Sequence, residues 1–161
     1  MTQMILDAID IKILRALQQD ARLSNVALAE QVGLSQSPCL RRVRQLEKAG
    51  VIRGYTASVD QTTVGLPVSV FVSIKLEKQR EEELKRFEDA MRGCPEVLEC
   101  YLMTGPRDYL LRVVARDLAD YERFVKETLT RIDGVASIES SFALGQVKHT
   151  NALPIGSRTS T

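Results

Sequence analysis

Between residues 35 and 55 stand five cations, Arg41, Arg42, Arg44, Lys48 and Arg53, against a single acid, Glu47. A local excess of positive charge attracts polyanions whatever the charge of the whole chain. Arg41, Arg44 and Lys48 recur at intervals of three and four, which places them together on one side of a helix. Ser35, Gln36 and Ser37 come just before them and suit hydrogen bonds to base edges or to the adjoining backbone of a nucleic acid. Arg42, Arg44 and Lys48 suit phosphates. A solvated helix face has the same composition, so charge alone leaves both readings open.

The rest of the inventory offers little chemistry. His149 is the only histidine, and no Cys, Asp or Glu is arranged around it. The three cysteines, Cys39, Cys94 and Cys100, form no C-x-x-C pair, which excludes a zinc finger and leaves no metal or cofactor to expect. Cys39 beside Pro38 reads as a small packing residue. Cys100 alternates with Leu98 and Leu102 and reads as core, while Cys94 follows a helix-ending glycine and reads as exposed. Glu81, Glu82 and Glu83 read as first-turn acids favoured by a helix dipole. One histidine close to the tail is a poor kit for general acid–base work, so the chain does not read as an enzyme.

The basic stripe needs a helix to carry it. Asp7 to Gln19 shows helical spacing, with Ile13, Leu14 and Leu17 inward. Ser24 can N-cap a second helix ending at Val32, with Val26, Ala29 and Val32 inward and Gly33 as its left-handed stop. Ser35 can cap a third, with Pro38 in its first turn and Leu40, Val43 and Leu46 inward, ending near Ala49. Two helices joined by a short glycine-containing turn form a helix-turn-helix, whose second helix enters the DNA major groove. Val51 to Val59 is rich in β-formers and reads as extended. Asp60 to Pro67 reads as a linker.

The second half alternates differently. Val68, Val70, Val72, Ile74 and Leu76 alternate with Ser69, Phe71, Ser73 and Lys75, the period of a strand. A helix over 81–92 follows, then strands over 97–103 and 109–115 joined by the turn Thr104-Gly105-Pro106-Arg107-Asp108. A second helix from Leu118 to Ile132 and a last strand from Val135 to Val147 complete the order βαββαβ, the ferredoxin-like unit. Both helices cover one sheet face, and the other is expected to pack on a second subunit.

The division is then 1–50 for the helix-turn-helix, 51–67 for a strand and linker, 68–151 for the βαββαβ domain and 152–161 for a frayed tail. The fold class is α+β. A chain of 161 residues has room for two small domains, and 44% apolar residues suffice for real cores. The net charge of +1 hides a split: residues 1–60 carry +2 and residues 61–161 carry −1. Met1 to Lys12 has no basic n-region and two aspartates, so it does not read as a signal peptide, and no apolar run is long enough to span a membrane. A cytoplasmic protein with reduced cysteines is expected.

From Leu6 to about Asn151 the sequence resembles the Lrp/AsnC (leucine-responsive, feast/famine) regulators. The resemblance rests on Asp10-Ile11-Lys12-Ile13-Leu14, on Ser24-Asn25-Val26 and on Val32-Gly33-Leu34-Ser35. Most specific is the run from Ser37 to Glu47 leading into Gly50-Val51-Ile52-Arg53-Gly54-Tyr55. In the second half it rests on Gly105, Asp108-Tyr109-Leu110-Leu111 and Val147-Lys148. It implies a transcription regulator that binds double-stranded DNA and a small amino-acid effector and controls amino-acid metabolism or transport genes. It also implies self-assembly into dimers through the sheets, with larger rings, commonly octamers, built as tetramers of dimers. By position it nominates Met103, Thr104, Gly105, Asp108 and Tyr109 as effector contacts, with Ser140 and Phe142 from a neighbouring subunit. Asp108 would accept the ammonium, and backbone N–H groups of the turn would hold the carboxylate. Pro106-Arg107 departs from the family's usual polar-then-aromatic pair. Proline removes a backbone donor, and Arg107 adds a planar cation able to clamp a carboxylate. An ordinary exposed turn would have the same sequence.

Overall fold

The structure is a computed structural model and describes residues 5–156. It divides into two units, one built from residues up to Ala57 together with the segment from Lys148, the other from Ser58–Val147.

The first unit holds helices α1 (Ala8–Gln19), α2 (Asn25–Val32) and α3 (Gln36–Lys48). Asp7 caps α1 by accepting the N–H groups of Ile9 and Asp10, while the Asp10 carboxylate accepts the N–H of Asp7, a reciprocal capping box. Ser24 accepts the Ala27 N–H and starts α2, and Gly33, at φ +77°, ends it. Ser35 stands at the N-cap of α3, but its hydroxyl makes no capping bond. Ile13, Leu28, Ala29, Val32, Cys39 and Leu46 form the core.

Two inward stripes differ from expectation. In α3, Val43 and Leu46 face the core as expected, but Leu40 is 37% exposed and the neighbouring Cys39 is buried in its place. In α2, Val26 is exposed, and Leu28 takes the inward position. The phase of both helices holds, and only the first position of each stripe moves, to a neighbouring apolar residue, a choice that tertiary packing makes in short helices with apolar residues on several sides.

The segment from Lys148 is a second correction. Asn151 does not end the structured chain. The Gln18 side chain donates to the Leu153 carbonyl (3.2 Å) and accepts the Leu153 N–H (2.6 Å), and Arg15 donates to the Ile155 carbonyl (2.8 Å). Ile155 packs against the helical core. Residues 51–59 form no strand, because the described residues supply them no partner strand.

The second unit runs β1 (Val68–Leu76), α4 (Glu81–Arg92), β2 (Val97–Leu102), β3 (Tyr109–Ala115), α5 (Leu118–Glu127), a 3₁₀ turn (Leu129–Arg131) and β4 (Val135–Phe142). The sheet is antiparallel in the order β2-β3-β1-β4, the ferredoxin-like arrangement. The expected second helix breaks at Thr128 into the 3₁₀ turn, and β4 stops at Phe142 rather than Val147. Val70, Val72, Ile74, Leu111 and Val113 lie under Phe87 and Met91 of α4 and Tyr121 and Phe124 of α5. The register sends Phe71, Tyr101, Leu110 and Arg112 to the other face. There Phe71 and Tyr101 are exposed, and Arg112 pairs with Glu99 at 3.1 Å. Cys94 is half-buried and Cys100 exposed on the edge strand β2, the reverse of the expectation.

Candidate nucleic-acid interface and effector turn

Helix α3 presents one continuous outward stripe. Ser37, Leu40, Arg41, Arg44, Gln45 and Lys48 line a shallow depression along it. A second depression begins at the same Ser37 and continues over Gln36, Ser35, Leu34 and Val26. The side-chain amide of Asn25 donates to the Gln36 carbonyl at 2.8 Å and ties the start of α2 to the first turn of α3. Among the described residues, Arg41, Arg44 and Lys48 form no ion pair with a carboxylate, and all three are exposed. Glu47, on the same helix, accepts the Tyr55 hydroxyl at 3.0 Å, and Glu30 lines the second depression. Ser35, Gln36 and Ser37 are exposed at the N-terminal end of the stripe.

Arg42 leaves this set. Its guanidinium donates to Asp7 (2.7 Å) and to Asp10 (2.8 Å), so it locks α3 against the capping box of α1 rather than facing a phosphate. The physical reason is the buried Asp10 carboxylate, 5% exposed, which needs a cationic partner. The Asp7 carboxyl is held below its ordinary value, chiefly by the Asp10 N–H and secondarily by Arg42.

In the second unit the turn between β2 and β3 is closed by the Met103 N–H on the Asp108 carbonyl (2.8 Å), with Gly105 at φ +108°. Met103, Thr104 and Gly105 are exposed at its tip. Arg107 turns toward β4, where it donates to the Ser137 hydroxyl (2.9 Å) and pairs with the Glu139 carboxylate. Nothing in sequence order links residues so far apart; their meeting follows from β4 and the turn both flanking the end of β1.

Asp108 and Tyr109 are placed differently from expectation. Asp108 is 6% exposed, and its carboxylate accepts the Leu76 N–H (2.7 Å) and the Gln79 side-chain amide (2.5 Å). Both oxygens are engaged inside the unit, so the carboxylate holds the end of β1 rather than standing open to an ammonium. Tyr109 is buried against Phe87, ring centroids 4.6 Å apart, and its hydroxyl donates to Glu88 at 3.0 Å. Burial first, then that carboxylate, push its phenol well above the usual tyrosine range. Tyr109 is therefore core, fixed by the period of β3. Ser140 and Phe142 lie on the edge strand β4, the former hydrogen-bonded to the Tyr121 hydroxyl (2.5 Å), the latter edge-on to the Tyr121 ring.

A helix-turn-helix with an unpaired basic stripe, followed by a ferredoxin-like unit, defines a class of DNA-binding regulators with an appended second domain. Comparison narrows the class. Residues 6–53 match the winged helix-turn-helix DNA-binding family, and residues 69–153 match the Lrp/AsnC ligand binding domain. The chain is 52% identical over 150 residues to a Bkd operon transcriptional regulator of Pseudomonas aeruginosa, covering 93% of this chain and 98% of that protein. It is 46% identical over 143 residues to a leucine-responsive regulatory protein of Rhizobium meliloti, covering 89% and 92%. A solved Neisseria meningitidis transcriptional regulator in complex with L-methionine superposes with a TM-score of 0.89 at 43% identity, covering 93% and 97%. The chain belongs to the Lrp/AsnC family of transcriptional regulators and carries its DNA-binding and ligand-binding domains.

Proposed function

We propose that this regulator acts in the cytoplasm and reads specific DNA sites through α3, its binding set by a small amino acid held at the β2–β3 turn. The unpaired, outward Arg41, Arg44 and Lys48 carry the first half of this reading. Phosphate contacts position a recognition helix while its N-terminal residues, here Ser35, Gln36, Ser37 and Arg41, meet base edges. The exposed turn at Met103, Thr104 and Gly105, with Arg107 beside it, supports the second half. The zwitterion's carboxylate is met by backbone N–H groups of the turn and by Arg107. An apolar amino acid such as methionine or leucine fits the kinship with a methionine-bound structure and with proteins named for leucine. Ser140 and Phe142 are assigned to a neighbouring subunit's share of the site. The assembly proposed is a dimer through the sheets, closing into an octamer, and the genes it governs serve amino-acid metabolism or transport.

The test has two arms. The double variant Arg41→Ala/Arg44→Ala is expected to lose operator binding while keeping its oligomer in light scattering; normal binding by it refutes the α3 reading. A thermal-shift screen against the twenty amino acids is expected to single out one or a few. A ligand at 100 times its dissociation constant stabilises by about 2.7 kcal/mol, a shift of a few degrees. No shift at millimolar concentration would refute the effector reading.

A further inference from the structure

Leu40 stands on the DNA-facing stripe, and nothing assigned so far uses it. It lies three residues after Ser37 and directly before Arg41, in the N-terminal half of α3, and is 37% exposed. The core on the opposite side is already filled: Cys39 and Leu46 are fully buried. Leu40 is not part of that core, yet it keeps a branched apolar group among cations that form no ion pair among the described residues. It lines the same depression as Arg41, Arg44 and Lys48. A second apolar residue, Val26, 45% exposed, lines the adjoining depression, which shares Ser37.

The partner that fits must be polyanionic overall and carry an apolar group at the centre of its charged surface. Duplex DNA meets both conditions in the major groove, where the thymine C5 methyl is the one apolar feature of a base edge. We propose that Leu40 contacts a thymine methyl in each half-site, so that the protein distinguishes thymine from cytosine at that base pair by apolar contact rather than by hydrogen bonding. The inference rests on the reading of α3 as the recognition helix. Arg41, Arg44 and Lys48 then supply attraction, and Leu40 supplies discrimination at one position.

The experiment begins by selecting binding sites from a random duplex pool with the full-length protein. Each thymine of the enriched site is then replaced singly by deoxyuridine, which removes only the methyl group. Affinities are measured at fixed salt for the wild type and for Leu40→Ala. One thymine per half-site is expected to lose about fourfold in wild-type affinity without its methyl, the factor that follows from burying one carbon. Leu40→Ala is expected to bind the thymine and deoxyuridine duplexes equally at that position, with an unchanged dependence on salt. Uniform wild-type affinity across all deoxyuridine duplexes, or an enriched site without thymine, overturns the proposal and leaves the α3 reading standing. A methyl effect that survives in Leu40→Ala also overturns it. Failure to enrich any duplex overturns the α3 reading and this proposal with it. The wild-type arm needs no variant and is independent of how Leu40→Ala folds.

Discussion

Four arginines and lysines of α3 look alike in sequence and do different work. Arg42 bridges Asp7 and the buried Asp10, whereas Arg41, Arg44 and Lys48 form no ion pair among the described residues. Removing one partner of a partly buried pair leaves an uncompensated charge, so Arg42→Gln is expected to destabilise the helical unit by about 1–3 kcal/mol. Its DNA affinity is expected to keep the wild-type salt slope when measured below the melting temperature. Arg44→Ala is expected to do the reverse, leaving the melting temperature intact and reducing the slope of log affinity against log salt by about 1. Equal salt slopes in the two variants would show that the assignment of roles is wrong. The same contrast holds in the other unit. Asp108→Ala strips acceptors from the Leu76 N–H and the Gln79 amide, so it is expected to lower stability by about 1.5–3 kcal/mol without any ligand present. Calorimetry of the ligand-free variant decides this: an unchanged melting temperature would put the carboxylate outside the fold.

At the level of elements, the start of α1 ties titration to stability. Asp7 is ionised in the cap, and its folded pKa lies below the ordinary 3.8. A lowered carboxyl contributes stability that is complete above the unfolded value and disappears as pH falls through the folded one. Asp7→Asn keeps an equally good capping oxygen but loses the charge. It is expected to cost about 0.3–1 kcal/mol at pH 7, the worth of an anion at an exposed helix N-terminus, and to match the wild type once the pH drops below that of the folded group. A gap that stays constant in urea melts from pH 7 to pH 3 would count against the ionic part of the cap. This cap was legible before the structure only as the start of a helix. The strong periods were legible: β1 alternates cleanly, and the turn between β2 and β3 is marked by glycine and proline. In α3 the packing role of Cys39 and the inward Val43 and Leu46 were legible too, but the outward place of Leu40 was not, because its hydrophobicity marks it for the core and only packing leaves it outside. The seat of Leu153 and Ile155 on α1 was invisible for another reason. It is made largely by backbone groups of the tail, which every sequence shares, received by Gln18 and Arg15 some 135 residues earlier in the chain. The effector turn was placed by resemblance, but the inward aim of Asp108 depends on Gln79, which no local pattern connects to it.

For the whole molecule, the decisive surface is the sheet face opposite α4 and α5. It carries Phe71 and Tyr101, both more than two-fifths exposed, beside the Arg112–Glu99 pair. An antiparallel sheet can leave one face to water, but the aromatic residues exposed on β1 and on the edge strand β2 suit this face to the proposed association. The proposed dimer buries that face against a second copy. Phe71→Asp tests it with little risk to the fold. Phe71 lies directly across from Arg112 in the β1–β3 register, so a carboxylate there gains a cationic neighbour within the same sheet. The single unit therefore tolerates the change, while packing the new charge against a partner requires its desolvation. Size-exclusion chromatography with light scattering is expected to give a monomer for Phe71→Asp, with circular dichroism like that of the wild type. Operator affinity is expected to fall with it, since the proposed dimer presents two copies of α3 to the site together. A variant that keeps the wild-type oligomer would move the subunit contact to another face. A monomer that still bound its operator with full affinity would mean that one copy of α3 suffices.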